Sequence, residues 1–158
     1  MIRQLRVTLP NQPGTLARMV SALAEAGVDM KALEVSERGP GTNGEASLIV
    51  SDVERAVAAL RGSGHSVEVE AAIAVEMDDR VGGLAPVLAA LAADEINVRQ
   101  LYAFVTRVAG KSLAVLTLDE PERAHGLLER KGFHLLDTGS LEGKSPEDDL
   151  GAYLGLIW

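Results

Sequence analysis

The chain contains no cysteine. That excludes disulfides, thiolate zinc sites and thiol catalysis together. Aromatic residues make up only 3% of the 158 positions, so the apolar 47% is mostly Ala, Leu and Val, and any core must be aliphatic. No apolar run approaches the roughly 20 residues that span a bilayer. The opening Met1-Ile2-Arg3-Gln4-Leu5 enters a strand pattern directly and leaves no room for a signal peptide. A cytoplasmic protein without a membrane partner is expected. Basic charge is scarce as well: 15 Lys and Arg stand against 23 Asp and Glu, a formal net charge of −8 with no basic cluster. Such a surface repels a phosphate backbone, so no nucleic-acid partner is expected.

Catalytic patterns are also missing. His65, His125 and His134 have neither metal-ligand spacing nor a triad setting. Asp78-Asp79 and Asp148-Asp149 are adjacent carboxylates that diverge in direction, unlike a glycosidase pair. The glycine-rich Arg38–Gly44 lacks the Lys-Ser/Thr ending and following helix of a phosphate loop. No enzyme activity, cofactor or metal is expected.

What the chain does contain is a turn, Asn11-Gln12-Pro13-Gly14-Thr15-Leu16. It lies between an alternating strand pattern, Ile2 to Leu9, and a one-sided helical pattern, Leu16, Met19, Val20, Leu23 and Ala24, closed by Gly27. Leu5, Val7 and Leu9 define the buried face of that strand, with Gln4, Arg6 and Thr8 on a wet one. An extended pattern follows over Val28 to Val35, then the Arg38–Gly44 turn. Next come a strand at Ala46–Val50, a helix capped by Ser51 or Asp52 with Val53, Ala56, Val57 and Leu60 on one face, a glycine stop at Gly62–Gly64, and a strand at His65–Val69.

The same order then recurs. A strand at Ala72–Met77 leads into Asp79-Arg80-Val81-Gly82-Gly83-Leu84 and a helix with Val87, Leu88, Leu91 and Ala92. Strands follow at Ile96–Thr106 and Ser112–Leu118, around a turn at Val108–Lys111. A helix at Pro121–Arg130 and a strand at Phe133–Leu136 complete the copy. Gly14 and Gly82, Leu16 and Leu84, Leu23 and Leu91, Leu33 and Leu101, and Gly64 and Gly132 are each 68 residues apart. One register without gaps marks an internal duplication. The expected division is residues 1–70, residues 71–136, and a tail at 137–158. That tail is an acidic linker followed by an amphipathic helix with Leu150, Tyr153, Leu154, Ile157 and Trp158 on one stripe. Tyr102 and Phe104 share a strand face and read as sheet packing.

A strand-helix-strand-strand-helix-strand unit of this size predicts an α+β fold. It comprises two ferredoxin-like βαββαβ domains, each an antiparallel four-stranded sheet with both helices on one face. The run Val7–Ala17, followed by Ala26-Gly27-Val28-Asp29-Met30, resembles the ACT domain, a regulatory module that binds amino acids. The second copy departs from that pattern with Val81 where proline is usual, while keeping Gly82 and Leu84. The chain as a whole resembles stand-alone tandem ACT proteins. The acetolactate synthase small subunit also opens with such a motif, but its second half is not an evident repeat of the first.

An amino acid needs donors for its carboxylate, acceptors for its ammonium and a side-chain pocket. Turn amides at a helix start supply donors, and glycine lets a ligand approach the backbone. The resemblance implies ligand contacts at Asn11, Pro13, Gly14, Thr15 and Leu16, with Asp29 and Met30 contributing from the second strand, often across a domain interface. The second-copy counterparts are Asp79, Gly82, Gly83 and Leu84, with Asn97 and Val98. The alternative role for Asn11 and Asp79 is to brace the turn, and for Asp29 and Asn97 to shape a loop. The implied protein is a homodimeric regulator that binds an amino acid and acts by association or by docking on a metabolic enzyme; the alternative is a regulatory subunit of an amino-acid biosynthetic enzyme, like the acetolactate synthase small subunit.

Overall fold

The computed structural model describes residues 1–37, 42–104 and 111–141. Its elements run β1 (Ile2–Leu9), α1 (Thr15–Glu25), β2 (Met30–Glu37), β3 (Gly44–Val50), α2 (Val53–Gly62), β4 (Ser66–Asp78), α3 (Ala85–Ala93), β5 (Val98–Phe104), β6 (Lys111–Leu118), α4 (Pro121–Arg130), β7 (His134–Leu136) and the short α5 (Thr138–Leu141). The chain forms two compact units. The N-terminal unit holds Arg3–Glu70, and the C-terminal unit holds Ala71–Thr138 with Met1–Ile2.

In the N-terminal unit the strand order is β2-β3-β1-β4, and in the C-terminal unit it is β5-β6-β4-β7. Both are the order of a ferredoxin-like unit. The 68-residue offset holds in the pairing itself: Leu5 faces Leu48 and Val7 faces Ala46, as Ile73 faces Leu116 and Val75 faces Ala114. Even the irregularity between Met30 and Ala32 of β2 recurs between Val98 and Gln100 of β5.

Each unit has its own aliphatic core between sheet and helices. Leu5, Val7 and Leu9 pack with Met19, Leu23, Ala56 and Leu60 in one. Ile73 and Val75 pack with Val87, Leu91, Ala124 and Leu128 in the other. The helices end alike. At the end of α1, Val28 N–H reaches the Leu23 carbonyl and Gly27 N–H the Ala24 carbonyl. The same pair of bonds recurs at Gly64 and His65, at Glu95 and Ile96, and at Gly132 and Phe133. This is the Schellman motif, which needs a left-handed residue. Gly27, Gly64 and Gly132 supply it, and Glu95 stands in the same conformation with φ 57°. Asp52, one of the two expected caps, holds the start of α2 by accepting from the Arg55 N–H at 2.9 Å.

Some expectations change. The strands expected at 65–69 and 72–77 are one 13-residue strand, Ser66–Asp78, because no glycine or proline interrupts that stretch. Gln4 is fully buried rather than wet, and its amide donates to Glu70 at 3.0 Å. The tail begins with a turn of helix, Thr138–Leu141, instead of a linker, and the Thr138 hydroxyl donates to the Met1 carbonyl. Most of the Arg38–Gly44 turn, the Val108–Lys111 turn and the stripe from Leu150 to Trp158 lie outside the described residues. Among those described, no helix is long and apolar enough to cross a membrane.

Candidate functional site

The turn between β1 and α1 is built by three backbone bonds. Gln12 N–H donates to the Pro10 carbonyl, Thr15 N–H to Gln12 and Arg18 N–H to Gly14. Gly14 caps the helix in the left-handed region, φ 86°, a conformation in which a side chain is strained. The first-turn amides of Leu16 and Ala17 have no backbone partner among the described residues, as at any helix start. Beside them lies a cleft of about 170 Å³ lined by Asn11, Gln12, Thr15 and Leu16 from the turn, by Val35, Ser36 and Glu37 from the end of β2, and by Gly44 of β3. Register explains the juxtaposition: Leu9 and Glu37 both face Gly44 across the sheet. Asn11 Nδ2 donates to Glu37 at 2.7 Å, so the asparagine does brace the turn against β2. Arg18 Nη2 donates to the Thr15 hydroxyl at 3.2 Å, which sets a guanidinium beside the helix start.

Of the residues expected to form the first site, Asn11, Thr15 and Leu16 line this cleft, and Pro13 and Gly14 shape the turn above it. Asp29 and Met30 do not join them within the unit. Met30 faces Val50 at the far end of β2, and the eight residues of that strand separate the two ends by more than about 20 Å. Asp29 instead ties its loop to the start of α2. Its N–H donates to the Ser51 hydroxyl, its carbonyl accepts from Ser51 N–H, and its carboxylate pairs with Lys31 at 2.8 Å. Met30 packs against the core.

The second turn repeats the bonds of the first, Arg80 N–H to Asp78 and Gly83 N–H to Arg80, with Gly82 at φ 79°. Two residues then alter it. Pro86 occupies the position of Arg18 and has no N–H, so the Gly82 carbonyl takes the Ala85 N–H instead and the helix begins later, at Ala85. Gly83 replaces Thr15 where a Cβ would lie 2.1 Å from the Asp78 carbonyl oxygen. Asn97 and Val98 again stand at the far end of the sheet. The Asn97 carbonyl accepts from Asp119 N–H, and Val98 packs on the core. Leu84 is partly buried against the same core, and Asp79 is exposed.

The cleft on this second turn, about 220 Å³, has a different character. It is lined by Met77, Gly83, Pro86 and Phe133 together with Glu76, Asp78, Arg80, Lys111 and His134. Lys111 Nζ lies 2.9 Å from Asp78 and 3.7 Å from Glu76; Arg80 approaches Asp78 at 3.4 Å and His134 approaches Glu76 at 3.7 Å. The hydrogen bond from Lys111, with Arg80 beside it, holds the Asp78 carboxyl below its ordinary range, and the same bond raises the Lys111 ammonium. Sequence spacing gave no sign of Glu37 at the first cleft or of Glu76, Arg80, Lys111, Phe133 and His134 at the second. Among the described residues no group of three or more His, Asp or Glu could hold a metal ion.

Residues 1–142 match the family model described as an ACT domain pair. Among solved structures, the protein BT0572 from Bacteroides thetaiotaomicron is similar at 25% identity, with a TM-score of 0.79 over 85% of this chain and 91% of that one. The regulatory subunit of aspartate kinase from Thermus thermophilus is similar at 18% identity, with a TM-score of 0.60 over 81% of this chain and 90% of that one, a likeness of fold. No curated protein sequence matches the chain.

Proposed function

The chain belongs to the family of ACT domain pairs, and from that premise we propose that it is a non-enzymatic regulatory protein that binds a free amino acid at the turn between β1 and α1. The observation that carries the reading is the first cleft, where donors and an acceptor meet over a small volume. The first-turn amides and the Arg18 guanidinium suit a carboxylate, helped by the helix dipole. The Glu37 carboxylate, now bonded to Asn11, suits an ammonium. Leu16 and Val35 offer an apolar wall. Within one unit, Glu37 is the carboxylate at this cleft, since Asp29 precedes the far end of β2. Asp29 and Asn97 take part where a second copy of the chain presents them to the turn, and ligand binding and dimerisation are then one equilibrium. A ligand shifts such an equilibrium only by its difference in affinity for the two states. Docking on a metabolic enzyme is the other outlet for that shift.

A thermal-shift screen of the amino acids at millimolar concentration tests the reading. At a hundredfold excess over its dissociation constant the true ligand stabilises the fold by about 2.7 kcal/mol. Asn11→Ala is expected to cut that stabilisation, and Asp29→Ala to weaken binding only at concentrations where the chain is dimeric. Absence of stabilisation by every amino acid would sink the proposal.

A further inference from the structure

The sheet of the N-terminal unit has two faces, and the core with α1 and α2 lies on one of them. Leu5, Val7, Leu48 and Val50 point into that core, with Met19, Leu23, Ala56 and Leu60 from the helices. Alternation along the strands puts Gln4 and Arg6 of β1, Ala32 and Glu34 of β2, and Ser47 and Ile49 of β3 on the opposite face. There Ala32 pairs with Ile49, and Ser47 pairs with both Glu34 and Arg6. Part of this second face is nevertheless buried. Gln4 and Ser47 are fully buried, Ile49 is 3% exposed and Ala32 6%. The remainder is ionic. Arg6 pairs with Glu45, Glu68 and Glu70, and Gln4 donates to Glu70 at 3.0 Å. Ala32, Ile49, Ser47 and Gln4 thus form a charge-free patch beside a charged lattice.

The chain itself offers a cover for that patch. It leaves the C-terminal unit at Thr138, and Gly139–Leu141 of α5 group with the N-terminal unit. Eight residues follow, 142–149, four of them acidic against one lysine. Glu34, Glu45, Glu68 and Glu70 repel that stretch, so its favoured place is off the lattice. Residues 150–158 carry no charged side chain, and Leu150, Tyr153, Leu154, Ile157 and Trp158 fall on one helical stripe. The eight preceding residues reach up to about 28 Å. The patch crosses three strands, about 10 Å. Nine residues as a helix are about 13 Å long. The stripe therefore suits the patch in length as well as in lack of charge.

We propose that residues 150–158 of the same chain dock on this patch, with the stripe from Leu150 to Trp158 set against Ala32 and Ile49 and over Ser47 and Gln4. Both faces of the N-terminal sheet are then covered, one by α1 and α2 and the other by this segment. Any other protein that docks on the second face must first displace it, so the segment competes with such a partner. The proposal does not rest on ligand binding at either cleft.

Composition makes the test direct. Trp158 is the only tryptophan, and the isoleucines are five, Ile2, Ile49, Ile73, Ile96 and Ile157. In the full chain with labelled isoleucine and alanine methyls, nuclear Overhauser contacts should join the ring of Trp158 or Tyr153 to Ile49 and Ala32. In a mixture of labelled and unlabelled chains those contacts should stay within one chain. Leu154→Asp should abolish them and leave Trp158 as open to acrylamide quenching as in the urea-unfolded chain. The methyl signals of Ile73 and Ile96 and the circular dichroism should stay as in the parent, which shows that the variant keeps its fold. Ile49→Thr, which places there the residue of its counterpart Thr117, should loosen the same shielding from the other side. The proposal is overturned if neither ring contacts Ile49 or Ala32, or if Trp158 stays shielded in the folded Leu154→Asp variant. Contacts found only between chains would also overturn it, since a second copy would then be the occupant.

Discussion

At position 83 a Cβ would stand 2.1 Å from the Asp78 carbonyl oxygen and 3.2 Å from that of Arg80. Both neighbours are backbone, so the turn itself would have to move. Gly83→Ala is therefore expected to cost about 1–3 kcal/mol, as overpacking does, measured by the urea midpoint. The equivalent Thr15 is buried and its hydroxyl accepts from Arg18, so the two turns share a bonding scheme but not a shape. Beside Gly83, the Asp78–Lys111 pair gives a pH dependence with a definite sign. The carboxyl of Asp78 is depressed, so its contribution to stability is present above the unfolded value of about 3.9 and is lost as pH falls through the folded one. The ammonium of Lys111 is raised, so its contribution holds below about 10.4 and is lost as pH rises through the folded value. Lys111→Met should return Asp78 toward the ordinary carboxylate range. Carboxyl-carbon NMR titration reads this directly, and an unmoved Asp78 midpoint would refute the pairing.

Among the elements, the four α-helices α1 to α4 end in the same Schellman bonds, and only one of them does so without glycine. Glu95 holds the left-handed position that Gly27 holds in the other copy. A side chain there costs about 1–2 kcal/mol, and glycine returns part of that gain through the entropy of the unfolded chain. Glu95→Gly is thus expected to stabilise the protein by about 0.5–1 kcal/mol, read from the shift in denaturant midpoint at unchanged slope. These ends were legible in the sequence wherever glycine marked them. Strand faces were legible from the alternation of Leu5, Val7 and Leu9, and α4 from its proline start. What could not be read was whatever depends on register between strands. Glu37 lies 26 residues from Asn11, and Lys111 lies 33 residues from Asp78. Nothing in local spacing places either pair together. Nor does a break fall between Val69 and Ala72: a domain boundary usually carries a turn, and here it lies inside β4.

For the whole molecule, the decisive feature is that each unit owns a core. Leu60 and Leu128 are matching positions at the 68-residue offset, both fully buried, one in each core. Replacing either with alanine should cost about 2–5 kcal/mol. Hydrogen exchange should locate the loss: Leu60→Ala lowers protection in β1 and β3, and Leu128→Ala lowers it in β6. Uniform loss across both units from either variant would show that the cores do not act as separate units of stability.

The identical pairing in the two units, down to the irregularity at Met30 and at Val98, has a genetic consequence. No residue has been inserted or deleted between corresponding points of the copies, so their difference consists of substitutions alone. An in-frame crossover between the two halves of the gene, at any matching codon, would therefore yield a chain whose strands still meet in register. The exception is the second turn. There Gly83 and Pro86 would have to travel as a block, since each has become fitted to the backbone around it.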